Sequence, residues 1–217
     1  MAYVTPEGAA YRRWVTRILL VSGSTYEASV QSAALRTAAR IAPPDIATTL
    51  FDGLRDLPAF VPGERTPPSA IGLLRLQVNA ADAILFSTPE YAGSLPGSLK
   101  NMIEWLVAGG ELSGKPVAWL SVMAPGHDEN ACATLEAALG HGNARLLTAC
   151  CVRVPVEPSS VDTDGLVGDE RLHQALRDVL QSMHRAATAE RPRHEQPNWQ
   201  TYSSVLPVIE RRRRPGS

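Results

Sequence analysis

Two short segments of the chain carry the residue types that hold a phosphorylated, planar ligand. The first, Ser22-Gly23-Ser24-Thr25-Tyr26-Glu27-Ala28-Ser29, is rich in hydroxyls and leads into Val30, Ala33, Ala34, Ala38 and Ile41 at helical spacing. Backbone N–H groups at a helix start lack intrahelical acceptors and sit at the positive end of the helix dipole, a setting that suits a phosphate. The same residues also serve as an ordinary helix cap. The second segment, Thr88-Pro89-Glu90-Tyr91-Ala92-Gly93-Ser94-Leu95-Pro96-Gly97-Ser98-Leu99-Lys100-Asn101, carries two prolines and two glycines. They make a stiff, tightly turning backbone that can lie against a flat ring, although composition alone also fits a turn and a Pro-Gly helix start.

Other chemistries lack their residues or their context. The histidines His127, His141, His173, His184 and His194 have no metal-ligand spacing, so no metal site is expected. No Gly-x-Ser-x-Gly elbow is present, which argues against a hydrolase nucleophile. Gly109 through Gly114-Lys115 has the spacing of a phosphate-binding P-loop, but Pro116 replaces the Ser/Thr. That segment also runs from helix to strand, the reverse of the required order. Cys132, Cys150 and Cys151 form no disulfide framework and read as small buried side chains in a reducing compartment.

The elements that must position these segments follow from hydrophobic periodicity. Short apolar runs over residues 17–21, 46–51, 82–87, 117–123 and 146–154 predict five strands. Helical stripes fall between and after them: the Val30 stripe, Ile71-Leu74-Val78, Leu99-Met102-Ile103-Leu106, Ala131-Leu135-Ala138, and Leu172 to Met183. Pro43-Pro44 stops the first helix, and a Pro-rich loop is expected over residues 54–68. Continuous apolar strands alternating with helices imply an α/β fold, a parallel sheet covered on both faces. A flavodoxin-like doubly wound five-stranded sheet of order 2-1-3-4-5 fits the count best, with ligands outside the carboxyl ends of its strands. The expected organisation is an N-terminal extension over 1–16, one domain over 17–187 and a C-terminal extension with a basic tail over 188–217.

Composition agrees with a single globular domain: 217 residues, 44% hydrophobic and 20% charged, with a formal net charge of −1. Setting aside Glu210 and the four arginines at 211–214 leaves 17 basic against 21 acidic side chains. Such a body has no basic field with which to bind nucleic acid. Arg12-Arg13 precedes an apolar run far too short for an export signal, and no stretch approaches a membrane span, so a cytoplasmic location is the expectation.

In its order of residues the second segment resembles the NADPH-dependent FMN reductase family, the flavodoxin-like quinone, chromate and azo reductases. Pro89, Glu90, Tyr91, Ser94, Pro96, Gly97, Leu99, Lys100, Asn101, Glu104 and Trp105 match its Pro-Glu-Tyr-Asn-x-Ser-x-Pro-Gly-x-Leu-Lys-Asn-x-x-(Asp/Glu)-Trp pattern. The resemblance covers residues 17–187. It implies FMN with its phosphate near Ser22, Ser24, Ser29, Val30 and Gln31. Its ring would lie against Pro89, Glu90, Tyr91, Ala92 and Gly93, and residues 121–127, with Ser121, Pro125 and Gly126, would close the other side. It also implies NAD(P)H as electron donor, a small-molecule electron acceptor (quinone, free flavin, azo or nitro compound, or metal oxyanion), and a homodimer or homotetramer with Trp105 near the interface.

The chain departs from the family pattern at three places. Tyr26 and Gln31 stand for Arg and Asn in the first segment, and Ala92 for Asn in the second. Loss of one charge-assisted hydrogen bond corresponds to roughly 10- to 100-fold in affinity. His127-Asp128-Glu129-Asn130 replaces Gly-Gly-x-Arg, and two carboxylates there would repel a phosphate. These substitutions motivate an alternative reading, a flavodoxin-like binding or interaction module that has lost tight FMN binding and turnover.

Overall fold

The computed structural model describes residues 15–189. Thr16–Ser22 (β1), Ile46–Phe51 (β2), Ala83–Ser87 (β3), Pro116–Ser121 (β4) and Arg145–Leu146 (β5) form a parallel sheet of order β2-β1-β3-β4-β5. β1 lies at the centre of this half, Leu20 pairing with Leu50 on one side and Leu85 on the other. The carboxyl ends of β1, β3 and β4 therefore lie side by side, and the two chemically distinctive segments leave from neighbouring strands.

Five helices cover the sheet: Val30–Ile41 (α1), Ser69–Ala80 (α2), Gly97–Gly109 (α3), Glu129–His141 (α4) and Glu170–Ala189 (α5). Side chains alternate across each strand, so Ile18 and Leu20 enter one core with α1 and α5, while Leu19 and Val21 enter another with α2, α3 and α4. The helical stripes read from the sequence are the buried ones: Ile71, Leu74 and Val78 on α2, and Leu99, Met102, Ile103 and Leu106 on α3 are at most 1% exposed. Burial on both faces explains why the strands read as continuous apolar runs.

The structure corrects the sequence reading at the last strand. The expected run over 146–154 divides into β5 and Val152–Arg153 (β6), separated by a 3-10 turn at Thr148–Cys150. Both pieces pair with β4, at Val117↔Leu146 and Leu120↔Val152. The intervening turn closes on itself, the Cys150 amide donating to Leu147 O at 2.7 Å, and buries Cys150 in the α1–α5 core. A continuous apolar run is thus shared between sheet and core packing, which periodicity does not separate. The expected Pro-rich loop is also more fixed than its composition implies. Asn101 Nδ2 and Trp105 Nε1 both donate to Pro58 O, at 3.0 and 2.9 Å, and the Phe60 amide donates to Asn101 Oδ1 at 2.7 Å.

Apart from residues 15–16 and 188–189, the extensions expected over 1–16 and 188–217 lie outside the described residues, as does the basic tail. Among the described residues, no helix is long and apolar enough to cross a membrane, and no cluster of three or more His, Cys, Asp or Glu is placed to hold a metal.

Candidate functional site

The first segment folds as a hydroxyl-laced loop at the start of α1. Ser29 caps the helix, its Oγ accepting from the Ser32 amide at 3.2 Å and donating to Ser32 Oγ at 2.9 Å. Ser32 Oγ in turn donates to Ser22 Oγ at 2.9 Å, and Ser24 Oγ accepts from the Tyr26 amide at 3.2 Å. The first turn of α1 has no acidic residue, so its positive end is not neutralised from within. Gly23 makes the loop possible. A Cβ there would lie 2.3 Å from Thr88 Oγ1 and 2.8 Å from Leu99 Cδ2, so only glycine lets the loop pack against the segment after β3.

That second segment makes a tight two-residue turn. Tyr91 and Ser94 exchange backbone hydrogen bonds at 3.0 and 3.1 Å, and Ala92 and Gly93 between them have φ of 51° and 71°. Positive φ at both central residues is the geometry in which Asn and Gly are favoured, so the family's Asn at position 92 has a backbone reason. The Ala92 and Gly93 amides have no acceptor among the described residues. Glu90 fastens the turn to α4: its carboxylate accepts from the Asn130 and Ala131 amides at 3.0 and 3.1 Å and from Asn130 Nδ2 at 3.3 Å. It thereby caps a helix whose own N-cap residue, Asp128, makes no capping bond.

Asp128 is occupied elsewhere. It is 0% exposed, turned inward, and its carboxylate accepts from Ser121 Oγ at 2.6 Å and from Arg153 Nη1. Arg153, on β6, also reaches Met123 O and Ala124 O, each at 3.5 Å, and Glu129 Oε1 at 3.5 Å. The Gly126 amide donates to Glu129 Oε1 at 2.6 Å and holds that carboxyl below its usual range. Of the two carboxylates expected to repel a phosphate, Asp128 is buried and Glu129 is exposed. Asp128 is paired inside the protein, and Glu129 is tied to its own loop.

These loops enclose a cleft of about 540 Å³. Of the site residues expected from sequence, Ser29, Val30, Gln31, Pro89, Glu90 and Tyr91 line it, together with Tyr26, Ala28, Met123, Ala124 and His127. Ser22 and Ser24 line a second cleft, of about 350 Å³, on the other side of the first loop. Ala92 and Gly93 form the exposed tip beside Tyr91, Pro125 and Gly126 the exposed crest of the loop after β4, and Ser121 is 1% exposed beneath it. Residues 155–158 form a wall that the sequence reading missed. The rule that ligands sit beyond the carboxyl ends of strands would have found them, had the broken last strand been recognised.

The model of the NADPH-dependent FMN reductase family matches residues 16–155. The chain belongs to that family. It is 41% identical over 113 residues to an NAD(P)H-dependent FMN reductase of Pseudomonas aeruginosa, covering 50% of this chain and 60% of that one. It is 33% identical over 106 residues to a quinone reductase of Escherichia coli, covering 46% and 56%. The chain thus spans less than two thirds of either relative. In fold it resembles the flavoenzyme NAD(P)H:acceptor oxidoreductase FerB of Paracoccus denitrificans, with a TM-score of 0.69 at 23% identity over 81% of this chain and 98% of that one. Both expected signature segments fall inside the matched span.

Trp105, expected near a subunit interface, is 2% exposed within its own chain and stacks edge-on against Phe60 with ring centroids 5.0 Å apart.

Proposed function

We propose that the chain is an FMN-dependent NAD(P)H oxidoreductase. The observation that carries this reading is the juxtaposition, in one cleft, of two segments of the family-matched span, the α1 start and the stiff turn after β3. The residues fit the cofactor: a helix start without acidic residues suits the phosphate, and the apolar and aromatic lining from Tyr26, Pro89, Tyr91, Val122 and Met123 suits a flat ring. Bound FMN would supply the transfer of hydride from the nicotinamide and of electrons to a small acceptor, here a quinone, free flavin, azo or nitro compound, or metal oxyanion.

The protein's part is to bind, orient and polarise. Ser29, Val30 and Gln31 hold the phosphate at the start of α1, with the hydroxyls of Ser22 and Ser24 bracing the loop behind. Pro89, Glu90 and Tyr91 support the ring, and the Ala92 and Gly93 amides are the donors available to the edge on which reduction places negative charge. The loop after β4, including Ser121, Pro125 and Gly126, closes the opposite side and is held by Arg153. No general base is required of the side chains.

We further assign a homodimer or homotetramer. Phe60, Val107 and Ala108 line an apolar hollow of about 310 Å³ beside the Trp105-anchored loop, which supports an interface there. The three free thiols favour a reducing, cytoplasmic setting. We also propose domain bounds of 17–187. Titrating the purified chain with FMN while following flavin fluorescence, then measuring NAD(P)H oxidation with a quinone, tests the reading. Saturable quenching and acceptor-dependent turnover are expected. A chain that neither quenches FMN nor oxidises NAD(P)H would instead be the binding module.

A further inference from the structure

The second cleft contains groups that the flavin reading does not use. It lies between the first loop and the carboxyl end of β2, and two arginines border it, Arg36 from α1 and Arg55 from the segment after β2. Both are pre-positioned by the backbone. Arg55 Nε donates to Thr25 O at 2.6 Å, and Arg36 donates through Nε to Gly165 O and through Nη1 to Glu27 O, each at 3.1 Å. Neither forms an ion pair among the described residues, although the exposed carboxylates of Glu27 and Asp52 border the same cleft. Guanidinium groups fixed in this way, with nitrogens to spare, are suited to bidentate recognition of a phosphate.

The first loop is a ridge between the two clefts. Tyr26 and Ala28 face the larger one, and Thr25 and Glu27 the smaller. With the flavin phosphate assigned to the start of α1 on the larger side, a phosphate on the smaller side would belong to a second ligand. In parallel-sheet dinucleotide sites, the region beside the first turn and the end of the second strand receives the adenosine ribose. There an acidic residue takes the ribose 2′-hydroxyl of NAD(H), or a nearby arginine takes the 2′-phosphate of NADP(H). Asp52 directly follows β2, and Arg55 comes three residues later.

On the basis of the oxidoreductase reading above, we propose that this cleft takes the 2′-phosphorylated ribose of NADPH, so that Arg55 and Arg36 select NADPH over NADH.

The test has two arms, both on the full chain with FMN added. Calorimetry compares adenosine 2′,5′-bisphosphate with 5′-AMP, and steady-state kinetics compares kcat/KM for NADPH and NADH. The wild-type chain is expected to bind the bisphosphate more tightly than 5′-AMP and to prefer NADPH. Arg55→Ala, at an exposed position, is expected to remove the binding difference and lower the NADPH/NADH ratio about 10- to 100-fold. Arg55→Lys, which keeps the charge without the planar fork, gives an intermediate ratio. Equal binding of the two probes, or equal loss with both coenzymes, overturns the proposal. So does an Arg55→Ala variant whose FMN affinity falls relative to riboflavin while the coenzyme ratio holds, because the cleft would then serve the flavin's phosphate. Bisphosphate binding that depends on Arg55 in a chain without FMN-dependent turnover would uphold the subsite and sink the oxidoreductase reading instead.

Discussion

Replacing Asp128 by Asn separates two accounts of the loop after β4. In the structure the carboxylate is 0% exposed and paired with Arg153, itself 21% exposed, and with Ser121. Removing one partner of a buried pair costs about 3–5 kcal/mol. Asn can still accept from Ser121 and Arg153 keeps some solvent, so Asp128→Asn belongs at the low end, about 3 kcal/mol. Arg153→Met leaves a fully buried carboxylate unpaired and belongs at the high end, about 5 kcal/mol. The double variant is expected to lose less than the sum, because each change removes the other's penalty. Urea unfolding reads the effect as a lower midpoint at unchanged m. FMN affinity is expected to fall or hold in Asp128→Asn as the loop loosens. If Asp128→Asn instead binds FMN about tenfold more tightly, a gain of about 1.4 kcal/mol, with unchanged stability, the carboxylate faces the ligand and the buried clasp is wrong.

Gly23→Ala drives a methyl into Thr88 and Leu99 and is expected to cost about 1–3 kcal/mol by overpacking, lowering Tm by about 2–12 °C and weakening FMN binding; thermal unfolding and flavin titration check both. Ala92→Gly relieves a non-glycine residue at φ 51° and is expected to stabilise the chain by up to about 1 kcal/mol in urea unfolding. Burial pushes the Cys132 thiol up to about 12, from an ordinary value of 9.0. Its folded pKa is the higher one, so its contribution to stability is complete below pH 9 and is lost as pH rises from 9 towards 12. Iodoacetamide should therefore label Cys132 slowly in the native chain at pH 8 and rapidly in urea, as followed by mass spectrometry.

The parts of this fold that were legible in the sequence are those whose burial is two-sided or strictly periodic. β1 and β3 read as continuous apolar runs because helices cover both their faces, and the α3 stripe is visible because every member of it is buried. The 146–154 run was misread because burial around Cys150 comes from a 3-10 turn instead of a strand, and apolar character does not distinguish the two. At the site, the second segment was legible through its order of residues, yet the tasks of those residues were not. Glu90 caps α4 across the cleft, while Asn101 and Trp105 pin the 58–60 loop, contacts that depend on chain-distant partners. The pairing of Asp128 is not legible in the sequence because its partner, Arg153, is 25 residues away on a strand that periodicity merges with another.

The most direct measurement is a structure of the chain with FMN. The ring is expected against residues 89–93 and the phosphate at Ser29, Val30 and Gln31, with Asp128 still turned towards Arg153. FMN seated anywhere else, or that cleft filled by the protein's own side chains at saturating FMN, would contradict this expectation.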